Sequence, residues 1–378
     1  MGNKNSNIQN KKLFDNKNEF KFILTRNYIC DISLFYDYEK KYESINYKSE
    51  KYKKINNNYI YIICGLIDGF IEIYGNGLKG EFKLSLSFQA HRELVSKIIQ
   101  LKNSGNLLTC SFDNSFKVFK LSKNCTRETL IYKIYLNPIF NRINDTIQIK
   151  NDDNLLISVF NYIIYFPYNK NNLSENKNNL SDYVHSKYEH GKKFLSNLLE
   201  VNDELFLAFD DIENKLLFFK LIPSDNIAKN IILIKSFFII FEEEIKNKEI
   251  NKKICIENLL PKYNLILLSI YNYIKIIDIK YLEVICIQEM KMASFFFSYN
   301  NYIDRIMIFK GNKIYKYKID NWRNDFYFYE EKKKRFELKN KDEFNKIEKL
   351  VYNPLNTNKI YFFYKKYLIN IELFFDEN

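Results

Sequence analysis

The sequence predicts an all-β chain assembled from repeated antiparallel units of similar size, and three observations carry the prediction. Tyr and Phe, 30 and 33 of them, crowd a chain of 378 residues whose hydrophobic content of 46% is ample for a core; both residues favour strands. Short apolar runs with period-two alternation are punctuated by Gly, Asn and Asp turns, as in hairpins. One pattern recurs along the chain: an apolar strand, a tight turn, then a strand closing on an aromatic or β-branched residue.

The clearest unit runs from Phe88 to Leu121, FQAHRELVSKIIQLKNSGNLLTCSFDNSFKVFKL. His91 follows a turn and opens an alternating strand, Leu94 to Leu101. A Ser104-Gly105 turn leads to a second apolar strand, Leu107 to Cys110. A tight Asp113-Asn114 turn leads to a third, Phe116 to Leu121. This stretch resembles one unit of the WD-repeat β-propeller family, with Phe119-Lys120 where that family usually carries Trp-Asp. The resemblance implies an array.

Six further units follow the same signature. In CGLIDGFIEIYG, Gly65, Asp68 and Gly69 match a Gly-x-x-Asp-Gly turn and Tyr74 takes the tryptophan place. LLISVFNYIIYFP turns at Asn161 and ends on Phe166. LFLAFDDIENKLLFFKL turns near Glu213-Asn214 and carries Phe219-Lys220. LILLSIYNYIKIIDI offers Ile277-Asp278, RIMIFKGNKIYKYKI turns at Gly311-Asn312 before Tyr317, and NPLNTNKIYFFYKKYLINIEL closes on Ile371-Glu372. The seven closing positions are 45, 47, 53, 58, 40 and 54 residues apart, against about 40–45 in WD repeats. The excess is assigned to insertions at Lys40–Asn58, Tyr168–Lys193, Lys246–Lys253 and Glu330–Lys346, all rich in Lys, Asn or charge.

The ends complete the scheme. FKFILT, Phe20 to Thr25, is a surplus strand at the front, and the last unit stops after its third strand. In the family an N-terminal strand often supplies the missing outer strand of the last blade, which removes exposed edges. The predicted fold is therefore a seven-bladed β-propeller of four-stranded antiparallel blades, closed by that strand. A ring of six or eight blades, a β-sandwich and a pair of smaller β domains stay open as alternatives. Residues 1–16 read as a flexible leader and 17–378 as the propeller, with disordered insertions near 40–58 and 168–193.

In well-formed WD repeats a buried His, a Ser or Thr, a turn Asp and the Trp indole share hydrogen bonds. The resemblance implies that role for His91, Asp113 and Thr109 or Ser111, while Phe119 has no N–H to contribute. Asp68 and Tyr74 hold the matching turn and closing positions in the first unit.

Enzyme signatures are missing from the sequence: no GxSxG, P-loop or GxGxxG occurs, and there are nine glycines in all. Of the three histidines, His185 and His190 fall in an insertion and read as solvated; Asp210-Asp211 and Glu242–Glu244 read as solvated charge. No catalytic set, metal site or cofactor is expected. The net charge of +12 suits an acidic partner, but seven arginines and lysines scattered through loops argue against nucleic acid. The Arg-Arg pair of phosphoinositide-binding propellers is replaced by nothing better than Phe309-Lys310-Gly311.

Six cysteines (Cys30, Cys64, Cys110, Cys125, Cys255, Cys286) lie far apart without CxxC, as buried free thiols of a reducing compartment do. The first ten residues are polar, unlike a secretory signal. The longest apolar run, Ile231 to Phe241, is interrupted by Lys235 and too short to span a bilayer. The opening MGNKNS matches the acylation pattern with Gly2 as acceptor and Ser6 as the favoured hydroxyl residue. One myristoyl chain binds membranes marginally, and the basic leader (Lys4, Lys11, Lys12) adds the second signal. The sequence thus points to a non-enzymatic scaffold for other proteins, cytoplasmic and peripheral at a membrane face. The alternative is a soluble WD-repeat subunit of a larger assembly, of ubiquitin-ligase or trafficking type, without a lipid anchor.

Overall fold

A computed structural model describes residues 20–36, 60–76, 82–136, 142–149, 154–166, 186–190, 195–238 and 254–289, less 103, 203, 211, 224–228, 260–264 and 271–272, and the strands between 293 and 372. Every regular element among them is a strand. A lone strand, β1 (Phe20–Leu24), comes first. The first sheet is β2 (Ile29–Tyr36), β3 (Ile60–Leu66), β4 (Phe70–Asn76) and β5 (Phe82–Gln89). The second is β6 (Val95–Gln100), β7 (Leu107–Ser111), β8 (Ser115–Leu121) and β9 (Glu128–Tyr135). The third is β10 (Ile143–Gln148), β11 (Leu155–Val159), β12 (Tyr162–Phe166) and β13 (Ser186–Glu189). The fourth is β14 (Leu195–Glu200), β15 (Leu205–Asp210), β16 (Lys215–Pro223) and β17 (Lys229–Phe238), and the fifth β18 (Ile254–Leu259), β19 (Leu265–Ile270), β20 (Tyr273–Asp278) and β21 (Glu283–Glu289). The sixth is β22 (Ala293–Ser298), β23 (Arg305–Lys310), β24 (Lys313–Trp322) and β25 (Asp325–Glu330), with β26 (Phe336–Glu337) also on β24. The last holds β27 (Lys349–Asn353), β28 (Asn356–Tyr364) and β29 (Tyr367–Glu372). All pairings are antiparallel, and the order within each sheet follows the chain. The last sheet alone adds a distant strand: β1 pairs β29 from Phe20↔Ile371 to Leu24↔Tyr367. These repeated four-stranded antiparallel sheets are an arrangement compatible with a β-propeller.

The strands form where the alternation predicts, and three hairpins turn on residues that accept a left-handed backbone, while the β11–β12 and β20–β21 turns put Phe160 (φ 51°) and Leu282 (φ 52°) there. Gly69 has φ 79°, Asn114 φ 60° and Asn214 φ 54°; Gly and Asn tolerate that region best. The closing residues Tyr74, Phe119, Phe166, Phe219 and Ile277 lie on the third strands and are buried. Directly before four of them the register slips by one residue, at Ile73/Tyr74, Val118/Phe119, Phe218/Phe219 and Ile276/Ile277. The extra residue sits on the outer strand: Ser85, Ile131, Ile234 or Ile285. The three isoleucines are thrown outward, 49%, 48% and 42% exposed, as a bulge does to an unpaired residue. Four sheets thus share a backbone irregularity that their sequences do not.

The strands fall into two compact units, one of 1–29 with 291–378 and one of 30–290. In the second unit the inner strands of successive sheets approach one another: β3 meets β6, and then the first strands β6 and β10, β10 and β14, and β14 and β18 meet in turn. Apolar faces fill the spaces between neighbouring sheets. Leu108, Phe116 and Val118 meet Leu155, Ile157 and Phe166 between the second and third, with the Phe116 and Phe166 rings edge-on at 5.2 Å. Leu156, Ile163 and Tyr165 meet Phe206, Leu217 and Phe219 between the third and fourth. Burial of such side chains is worth about 1.5–3 kcal/mol each. In the first unit, β1 completes the last sheet and Thr25 behind it is buried, its hydroxyl donating to Asn27 O at 2.7 Å.

Two insertions contain structure. The stretch 168–193, read as disordered, includes β13, which pairs β12 from Tyr162↔Glu189 to Tyr165↔Ser186; its polar sequence hid a strand whose backbone bonds need no apolar pattern. Glu330–Lys346 likewise includes β26. The apolar run Ile231–Phe241 contributes to the outer strand β17. The leader 1–16, with Gly2, Lys4, Ser6, Lys11 and Lys12, and the insertions 40–58 and 246–253 lie outside the described residues. No described helix is long and apolar enough to cross a membrane.

Candidate functional site

The second sheet carries the densest polar cluster. His91 is 2% exposed in the link between β5 and β6. Its Nδ1 lies 3.2 Å from both carboxylate oxygens of Asp113 and 3.1 Å from Ser115 Oγ, and its Nε2 lies 2.8 Å from Thr109 Oγ1. A carboxylate only accepts, so the proton sits on Nδ1 and the Thr109 hydroxyl donates to Nε2. Asp113 also takes the Ser115 hydroxyl at 2.6 Å and the Arg92 and Ser115 amides at 3.0 Å each. Burial pushes the His91 imidazole below its ordinary range, against the pull of Asp113. Burial alone would raise the Asp113 carboxyl, but the His91, Ser115 and Arg92 hydrogen bonds outweigh it and hold it well below the usual range. The ring is neutral at pH 7 and every polar atom of it is bonded; the cluster ties the β5–β6 link to the β7–β8 turn.

Sequence reasoning placed His91, Thr109 and Asp113 in one network, and the structure brings them together. Ser111 does not join them: its hydroxyl donates to Glu93 O at 3.1 Å and accepts the Asp113 amide at 3.0 Å. Ser115 takes its place, and the Asp-x-Ser spacing of a side-chain-capped turn was the available signal. Phe119 packs edge-on against Phe88 at 5.1 Å. Asp68 Oδ1 accepts the Phe70 amide at 3.4 Å, and Gly69 O accepts the Ala90 and His91 amides. Tyr74 donates to Glu72 Oε2 at 2.6 Å; burial and that bond push its hydroxyl far above the usual range.

A second His–Asp corner departs from the solvated reading. His190 Nε2 lies 3.0 Å from Asp210 Oδ2, and Asp210 is wholly buried, its Oδ1 taking the Ile212 and Glu213 amides at 2.9 Å. His190 lies in the link between β13 and β14 as His91 lies between β5 and β6, but Asp210 is the last residue of β15 where Asp113 sits in a turn, and this different placement concealed the likeness. Glu213 comes near enough to make a His–Asp–Glu group able in principle to hold a cation, although Lys215 Nζ already takes Glu213 Oε2 at 2.8 Å. His185 and Glu242–Glu244 lie outside the described residues.

Charged residues on the first strands form a third group. Asp31 Oδ2 on β2 accepts the Ile98 amide of β6 at 2.7 Å. Lys97 on β6 pairs with Asp145 Oδ1 on β10 at 2.6 Å, and Asp145 Oδ2 accepts the Leu198 amide of β14 at 2.8 Å. Burial would strip Lys97 of its proton, but Asp145 and Asp31 outweigh it and hold the ammonium above its ordinary range. Beside this rail lies a cleft of about 390 Å³ lined by Lys97, Gln100, Lys102, Gln148 and Glu200 among others. Cys64 and Cys110 are buried free thiols, both pushed up by burial, Cys110 to about 12.

None of the protein-family models matches the chain, and no curated protein matches it.

Proposed function

We propose that the chain is a non-enzymatic scaffold: a WD-repeat-type propeller of seven blades, closed by β1, that gathers other proteins and is held peripherally at a cytoplasmic membrane face through N-myristoylation of Gly2. The observation that carries the reading is the pairing of β1 with β29, which supplies the fourth strand of the last sheet from the opposite end of the chain. An open row of sheets has no need of that exchange; a ring does. The recurring outer-strand bulge supports equivalent blades, and the His91 and His190 corners use their chemistry to tie strands together. Propellers present loops and turns to partners, and here these include the segments at His91, Asp68 and Asp113.

The membrane part of the reading rests on MGNKNS. Gly2→Ala is expected to move the protein from the membrane to the soluble fraction of lysed cells. Equal membrane recovery of both forms would remove the lipid from the reading. The second reading is a soluble subunit of a larger assembly, of ubiquitin-ligase or trafficking type, with Gly2 unacylated. Mass spectrometry of the mature terminus separates the two.

A further inference from the structure

Three cations gather where the first and second sheets meet. Lys117 on β8 and Lys133 on β9 are direct cross-strand partners. Like charges placed directly opposite in an antiparallel pair destabilise it. The His91 corner adds a third cation, Arg92, whose amide donates to Asp113 and whose charge acts on Lys117. Lys117 Nζ is itself pinned, donating to Ala90 O in the same link, and Lys133 Nζ sits 4.1 Å from the centre of the Tyr135 ring.

One carboxylate stands against these three cations and leaves the group with excess positive charge. Among the described residues none of the three forms an ion pair. Asp113 is the carboxylate that acts on Lys117, and its oxygens are taken by His91, Ser115 and the Arg92 amide. Neighbouring Glu93 forms no ion pair either. Burial, with Lys133 and Arg92 adding to it, outweighs the pull of Asp113 and lowers the proton affinity of Lys117. The Phe88–Phe119 contact brings β5 beside β8, and Gln89 and Tyr135 are exposed at the margins. Elsewhere lysines close to acids pair with them, Lys97 with Asp145 and Lys215 with Glu213. A repulsive pair kept in a sheet with one carboxylate to three cations marks a position shaped by something besides folding.

We infer that Arg92, Lys117 and Lys133 form a site for a phosphate-monoester group. Three convergent cations suit the −1.5 to −2 charge of a phosphate monoester at pH 7 better than one carboxylate. The group reaches the site either on a phosphorylated segment of a partner protein or on a free small phosphate. The inference deepens the scaffold reading by naming the chemistry of what docks, yet the site can be tested without it.

The test uses the full chain and two probes, inorganic phosphate and a fluorescein-labelled peptide Gly-Ala-phosphoserine-Ala-Gly with its unphosphorylated twin. Phosphate is expected to raise Tm relative to chloride at equal ionic strength, and Lys117→Met or Lys133→Gln to abolish that rise. Each substitution is expected to weaken binding of the competent probe about tenfold or more, since a charge-assisted bond is lost. Lys133→Gln is expected to melt at or above the parent temperature in chloride, because the repulsive pair is gone while the Lys117 bond to Ala90 O stays; this shows that the lost binding is not lost folding. Peptide binding well above phosphate binding identifies the protein-borne source, and phosphate binding as well as or better than the peptide identifies the small-molecule source. The inference is overturned if neither probe binds, or if the twin binds equally to the phosphopeptide with no phosphate effect on Tm. It is overturned also if Lys83→Gln with Lys120→Gln, two exposed lysines outside the cluster, weakens binding as much.

Discussion

At the scale of single residues, the His91 corner makes stability depend on pH with a definite sign. The folded imidazole binds its proton more weakly than the unfolded one does, so below about pH 6.5 the unfolded state takes up protons that the folded state refuses. The stability owed to neutral His91 is therefore fully present above that pH and is lost as pH falls. Asp113, held low in the fold, acts in the same direction further into acid. His91→Ala is expected to cost about 1 kcal/mol near neutrality, and His91→Gln to show a smaller drop in Tm than the parent between about pH 7.5 and about pH 5.5. Coincident melts of parent and His91→Ala would remove the network from the account of stability. Asp145 makes a sharper case, because it both neutralises Lys97 and takes the Leu198 amide. Asp145→Ala is expected to cost about 3 kcal/mol, the penalty of leaving a buried ammonium and a buried N–H unpaired. Denaturant titration of Asp145→Ala and of the double variant with Lys97→Met tests this: the second substitution should return part of the loss.

At the scale of elements, the β3–β4 turn depends on one residue. Gly69 has φ 79°, and a Cβ there would fall 2.2 Å from His91 O. Its carbonyl meanwhile holds the Ala90 and His91 amides, so the turn of the first sheet is stitched to the corner of the second. Gly69→Ala is expected to cost about 2 kcal/mol or more, through strain and through displacement of the His91 link. A melt unchanged from the parent would show that the turn and corner are uncoupled. Most strands were legible because alternation and turn residues report on one strand and its hairpin partner at a time. Asp31 and Asp145 could have been marked as lone charges within CDISLF and INDTIQ, but their partners, at Ile98 and Leu198, lie 67 and 53 residues on. The β13 strand and the His190–Asp210 pair were hidden for a related reason: a polar strand is held by backbone bonds that carry no side-chain signature.

At the scale of the whole molecule, the chain's ends are joined through one sheet. Deleting residues 1–25 removes β1 and leaves β29 as an open edge. Five paired residues at roughly 1 kcal/mol per net hydrogen bond imply a loss of several kcal/mol, together with aggregation through the exposed edge. Deleting residues 1–16 spares β1 and is expected to leave the melt unchanged. Equal melts for both truncations would show that the β1–β29 pairing contributes nothing to stability. The sequence by itself determined the all-β class of structure and the surplus strand at the front, because each follows from periodicity within a few tens of residues. The tertiary structure alone decided which serine completes the His91 corner, where the outer strands bulge, how the first strands are bridged by charge, and that three cations gather where the first and second sheets meet. Those features are pairings between residues far apart in the chain, and charge or burial at such distances is set only when separate sheets are brought into contact.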